Sequence, residues 1–177
     1  MSFFFGETKN YTWFFRIASG AADGEIRLWD LSRKRCTKIL KGHEGRFVRG
    51  LVYTPNGEQI LSIGDDKHIC TWNTNDDDFE DGESITVKEA TEIINSKAML
   101  TGITYHRNEA KFATCGDITQ LWDGSTNYPI KEFQWGVDTV HAIKFNQVCL
   151  TICLPEEFNN NFLSPVASTM AIFMGFL

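Results

Sequence analysis

Three short segments ending in tryptophan recur along this 177-residue chain: Ile26-Arg-Leu-Trp29-Asp30, Ile69-Cys-Thr-Trp72-Asn73 and Thr119-Gln-Leu-Trp122-Asp123. The tryptophans stand 43 and then 50 residues apart. A period of this size constrains the fold more than any other feature, because a unit too small to bury its own apolar face must stack on its neighbours. Upstream of each tryptophan a second pattern repeats. Ala18-Ser19-Gly20 leads to Asp23-Gly24, Leu61-Ser62-Ile-Gly64 to Asp65-Asp66, and Ala113-Thr114-Cys-Gly116 to Asp117. Each reads as a strand, a tight turn and a second strand. Gly42-His43 and the turn Thr54-Pro55-Asn56-Gly57 complete the fullest unit, 42–73.

The expected strands are 16–19, 25–29 and 37–40 in the first unit, and 48–53, 59–62, 68–72 and 91–94 in the second. The third holds 100–105, 111–114, 118–122 and 130–133, and 139–145 opens a fourth. Between the second and third tryptophans lies Asp76-Asp-Asp-Phe-Glu-Asp-Gly-Glu83, read as a hydrated insertion. As a calcium loop it fails, since a start at Asp77 puts Phe79 at the third position and Lys88 at the twelfth. Apolar residues are 42% and charged residues 23%, with a formal charge of −6, which excludes a disordered chain and a wholly basic nucleic-acid module. No run reaches the roughly 18 apolar residues of a membrane helix, so no membrane partner is expected. The start lacks the cationic region of a signal peptide.

Gly-His, a Pro-Asn-Gly turn, then Ser, Asp and Trp-Asp at this period resemble the WD-repeat signature. The resemblance implies an all-β propeller, incomplete here: about three blades and one strand of a fourth, where closed rings use roughly four to eight. The reading is a fragment of a larger propeller, with an unmatched segment 1–15, a partial propeller 16–146 and a divergent tail 147–177. It also implies that His43, Ser62, Asp66 and Trp72 form a buried chain of hydrogen bonds within one blade, with Ser19, Asp23 and Trp29 as the matching members of the first. An indole N–H only donates, a hydroxyl does both, and an imidazole relays to a carboxylate, so in series every member is satisfied. The third unit lacks Gly-His, and Asp117 sits one position closer to its tryptophan, so no complete network is expected there.

Gly20 to Trp29, His43-Glu-Gly-Arg-Phe-Val-Arg-Gly50, Gly64-Asp-Asp-Lys67, Phe112-Ala-Thr-Cys-Gly116 and Trp135-Gly-Val-Asp138 are similar to the Sof-type WD-repeat proteins. These are nucleolar factors of the small-subunit processome, also described as substrate receptors of cullin ubiquitin ligases. The resemblance implies a non-enzymatic scaffold in the nucleus and nucleolus. Its partners would be processome proteins, pre-rRNA or small nucleolar RNA, or a cullin-ligase adaptor. Ligase receptors of this class carry a Trp-Asp-x-Arg box, whereas Trp29-Asp30 here is followed by Leu31-Ser32-Arg33, one residue too late.

Arg33, Lys34, Arg35, Lys38, Lys41, Arg46 and Arg49 face the single Glu44 within 33–49, a local balance of +6 that marks a candidate RNA- or partner-binding surface. His43, Ser62 and Asp66 are also the residue types of a hydrolase triad. No Gly-x-Ser-x-Gly elbow is present and all three fall on blade-network positions, so no catalytic role is assigned. The five cysteines, Cys36, Cys70, Cys115, Cys149 and Cys153, are odd in number and read as reduced thiols. Cys149 and Cys153 lack the further ligands of a zinc site, so neither metal nor cofactor is expected.

Overall fold

The computed structural model describes residues 16–74, 85–134 and 139–145, and the strands 149–153 and 171–175. Among these residues the fold is all-β, with no helix. The chain divides into two compact units, Met1–Lys97 and Ala98–Leu177.

The first unit holds two four-stranded sheets. One comprises β1 (Arg16–Gly20), β2 (Glu25–Asp30), β3 (Arg35–Lys41) and β7 (Thr86–Glu89) in that order. The other comprises β4 (Val48–Tyr53), β5 (Gln59–Gly64), β6 (His68–Asn73) and β8 (Glu92–Asn95). Successive strands are antiparallel, as short turns require. In the expected Thr54–Gly57 turn the Gly57 N–H donates to the Thr54 carbonyl at 2.8 Å, and Gly57 has φ 72°.

The registers explain why these sheets stack. Ala18 lies opposite Leu28, and Ile26 opposite Leu40, so these four share one face of the first sheet, while Arg27 and Trp29 point the other way. In the second sheet Ile60 lies opposite Trp72 and Ser62 opposite Cys70. Ala18, Ile26, Leu28 and Leu40 form one core with Leu51, Ile60, Cys70 and Trp72. The tryptophan-bearing face of one sheet therefore packs on the tryptophan-free face of its neighbour. Each large side chain so buried contributes about 1.5–3 kcal/mol.

Strand β7 was not foreseen. It pairs in parallel with β3, Lys38 opposite Thr86 and Lys41 opposite Glu89. Three strands of the second sheet intervene in sequence between the two, which removes the need for a tight reversal. The chain thus leaves the second sheet, adds an outer strand to the first, and returns to complete the second with β8.

In the second unit β9 (Leu100–Tyr105), β10 (Lys111–Gly116), β11 (Thr119–Asp123) and β12 (Pro129–Phe133) form the third four-stranded sheet. Ala113, Cys115 and Leu121 pack with Val140 and Ile143. Phe112 stacks on Trp122 with centroids 5.6 Å apart. The fourth sheet differs from expectation. Beyond β13 (Ala142–Phe145) it contains β14 (Cys149–Cys153) and β15 (Ala171–Gly175), both antiparallel to their neighbours, where the sequence pattern had ended at one strand.

Candidate functional site

The polar centre of the first unit is built from the loop after β3 and the β5–β6 hairpin. His43 Nδ1 lies 2.9 and 3.0 Å from the two Asp66 carboxylate oxygens, and Nε2 is hydrogen-bonded to Ser62 Oγ. The His43 and Ser62 side chains are 0% exposed, and Asp66 is 6% exposed. Asp66 also accepts the His68 backbone N–H at 3.0 Å. A carboxylate only accepts, so the ring carries its proton on Nδ1, and Nε2 accepts from the Ser62 hydroxyl. Burial holds the His43 pKa below the ordinary histidine value, and the Asp66 charge opposes that only in part. His43 is therefore neutral.

Two glycines make room around the cluster, Gly42 for Trp72 and Gly64 for the His43 ring. A Cβ on Gly42 would meet Trp72 Cζ2 at 2.8 Å, and one on Gly64 would meet His43 Nδ1 at 2.6 Å. The Gly-His pair and the Gly-Asp-Asp turn are thus steric requirements of one buried cluster.

Trp72 is brought beside the cluster but not into it. It is 1% exposed, its ring centroid is 6.0 Å from that of His43, and its indole N–H has no hydrogen-bond partner among the described residues. The expected Ser62–Trp72 link is therefore corrected, because the Ser62 hydroxyl is turned to His43 Nε2 instead. In the first sheet, where no such histidine intrudes, Trp29 Nε1 donates to Ser19 Oγ at 2.8 Å. Asp23 does not join them. It is exposed in the β1–β2 turn, accepting the Glu25 N–H at 3.0 Å and pairing with Arg27 at 3.4 Å. The third sheet repeats the simpler pair, which sequence reading missed: Trp122 Nε1 donates to Thr114 Oγ1 at 2.9 Å. In all three sheets the hydroxyl lies two residues beyond the partner directly opposite the tryptophan. That shared diagonal was the available signal, hidden by a shorter turn in the third unit.

The seven cations of 33–49 do not form one surface. Arg33, Lys34 and Arg35 sit at the start of β3, and Lys41, Arg46 and Arg49 at or beyond its other end. At ~3.3 Å per strand residue, the two groups stand roughly 20 Å apart. Lys38 is 3% exposed and so is not available to a phosphate. Arg33 is held to Asp30 at 3.8 Å, Lys41 to Glu25 at 4.0 Å, and Arg49 to Asp65 by bonds of 2.6 and 2.8 Å. The single basic patch is corrected to two smaller, partly neutralised groups, because one extended strand lies between its halves.

Chemically, the His43–Ser62–Asp66 arrangement has the hydrogen-bond order of a hydrolase triad but no exposed nucleophile, so no substrate carbonyl can reach Ser62. Cys70, buried beside it, has its thiol pushed up to about 12 by desolvation and then by Asp66. Such a thiol is inert as a nucleophile. Cys36, Cys70 and Cys115 are free. The side chains of Cys149 and Cys153, the acidic run 76–83, the segment 1–15 and the motif 135–138 lie outside the described residues. Among the described residues no three candidate ligands cluster as for a metal, and no helix is long and apolar enough to cross a membrane.

In each of the three four-stranded sheets a tryptophan lies diagonal to a buried hydroxyl, an arrangement like that of a WD repeat. The family model for the WD domain, G-beta repeat, matches residues 7–30 and 34–73. The chain is similar to proteins named DDB1- and CUL4-associated factor 13. Those of Xenopus tropicalis and Homo sapiens are each 37% identical over 132 residues, covering 75% of this chain and 28% of the relative. That of Dictyostelium discoideum is 34% identical over 145 residues, covering 81% of this chain and 31% of the relative. The chain thus spans less than a third of the length of these relatives.

Proposed function

We propose that the chain is a non-catalytic docking module of a nuclear, nucleolar scaffold that acts in small-subunit ribosome biogenesis. It would bind processome proteins and contact pre-rRNA or small nucleolar RNA through the exposed cations at the start of β3. The observation that carries the reading is the buried His43–Ser62–Asp66 cluster. It spends triad chemistry on holding loops in place and leaves binding as the task of the exposed turns. The Sof-type resemblance of five separate segments supplies the ribosomal context. Fold alone would not, since WD scaffolds serve many pathways.

A second reading is association with a DDB1–CUL4 ubiquitin ligase, favoured by the names of the similar proteins. Against it, Arg33 is displaced by one residue from the expected box, and its backbone N–H is tied to Asp30 Oδ1 at 3.0 Å. Affinity purification of the tagged full chain from nucleated cells separates the two. Recovery of pre-rRNA and nucleolar particles is the expected result. Recovery of DDB1 and CUL4 without pre-rRNA supports the second reading, and recovery of neither rejects both. Reversal of Arg33, Lys34 and Arg35 to Glu tests the RNA contact. It should weaken RNA binding and flatten its salt dependence, and unchanged affinity would reject that contact.

A further inference from the structure

We propose that Ser32, in the turn between β2 and β3, is the acceptor for a serine kinase with an acidic substrate groove, and that its phosphate switches off the RNA contact of Arg33, Lys34 and Arg35. The switch rests on the RNA-binding reading above, whereas the acceptor site does not.

The turn 31–34 closes the β2–β3 hairpin, in which Asp30 lies opposite Arg35. Asp30 Oδ1 accepts the Arg33 backbone N–H at 3.0 Å, and Lys34 takes φ 52° where the chain enters β3. Ser32 stands exposed in this turn, and its hydroxyl makes no hydrogen bond among the described residues. The next hydroxyl along is engaged: Thr37, inside β3, donates to the Leu28 carbonyl at 3.2 Å. Ser19 and Ser62 are buried. Ser32 therefore combines exposure, an unbonded oxygen and three cations directly following it, which an acidic groove can read. Transfer forms a bond from Ser32 Oγ to the γ-phosphorus of ATP and breaks that phosphorus's bond to the bridging oxygen, so ADP leaves. The hydroxyl proton passes to the kinase's carboxylate base.

Charge makes the modification a switch. At this end of the first unit the described charged groups are Arg16, Asp30, Arg33, Lys34 and Arg35, with Glu58 on the β4–β5 turn of the neighbouring sheet. Arg16 lies opposite Asp30 and donates to the Thr74 carbonyl at 3.4 Å. Arg33 is held to Asp30 at 3.8 Å, and Glu58 accepts the Asn56 amide at 2.6 Å. Lys34 is exposed with no ion-pair partner among the described residues, and Arg35 Nε is buried without a hydrogen-bond partner there. Four cations against two carboxylates leave a balance of +2. A phosphoserine carries about −1.5 to −2 at neutral pH, which brings that balance close to zero. Its oxygens also offer charge-assisted bonds to Lys34 and Arg35, two and three positions along. An RNA phosphate then loses both the local attraction and the cations it would have met.

The test treats the full chain and Ser32→Ala with ATP and the catalytic domain of a protein kinase C. Tandem mass spectrometry locates the phosphate, and a uridine oligomer is titrated into each product. Phosphate is expected at Ser32 and absent from Ser32→Ala. The phosphorylated chain should bind the oligomer at least ~tenfold more weakly at about 0.1 M salt, with a shallower salt dependence. Ser32→Ala should bind like the untreated chain before and after kinase treatment. The urea midpoint should not move on phosphorylation, since the Ser32 hydroxyl holds nothing in place, so that weaker binding is not unfolding. No phosphate at Ser32 would overturn the site and leave the RNA contact standing. Phosphate at Ser32 with undiminished affinity would overturn the switch, provided that reversal of Arg33, Lys34 and Arg35 to Glu does lower affinity. If that reversal changes nothing, the RNA contact fails and the switch with it.

Discussion

Replacing His43 by Ala strikes the buried cluster at its centre. Ser62, fully buried, loses the partner of its hydroxyl, at about 1–3 kcal/mol. Asp66 keeps the His68 N–H but loses a charge-assisted bond, roughly another 1.5–3 kcal/mol. The terms share one network and do not simply add, so the expected cost is about 3–5 kcal/mol. Ser19→Ala provides the internal yardstick. It removes a single bond to the half-buried Trp29, worth about 1 kcal/mol, and water can replace it. Urea unfolding followed by tryptophan fluorescence measures both. With m of roughly 1–3 kcal/mol per molar, His43→Ala should lower the midpoint by on the order of 1–5 M, and Ser19→Ala by a fraction of that. Equal losses from the two variants would refute the claim that the His43 cluster is a buried, mutually dependent unit.

Stability should also depend on pH through His43. Its folded pKa is depressed, so the unfolded chain takes up a proton first, near pH 6.5, and the stability present above that pH is lost as pH falls below it. The urea midpoint should drop between pH 7 and 5.5, and His43→Gln should flatten that slope; an identical slope in the variant would exclude His43 as the source. Gly42→Ala places a methyl group 2.8 Å from Trp72 Cζ2 and should cost about 1–3 kcal/mol by the same unfolding assay, whereas no loss would mean the ring can move aside.

Much of the fold was legible because most strand pairs are local and bounded by Gly, Asp or Pro-Asn-Gly turns, so alternation and turn chemistry agreed. Strand β7 was not legible. It is four residues long, follows a polar run, and finds its partner in another sheet, a pairing no local pattern encodes. The cluster at His43 was visible as residue types, yet the choice of Ser62 between histidine and tryptophan is a matter of side-chain direction that spacing does not carry. The cations of 33–49 looked like one patch because sequence distance hides the length of an extended strand.

The central claim is that three tryptophan-ending segments are copies of one antiparallel sheet module. Cross-strand nuclear Overhauser contacts test it most directly. The account predicts that Trp29 faces Ile17, Trp72 faces Ile60 and Trp122 faces Phe112 in a common register. Helical contacts between residues three and four apart in these segments, or three unrelated registers, would contradict it.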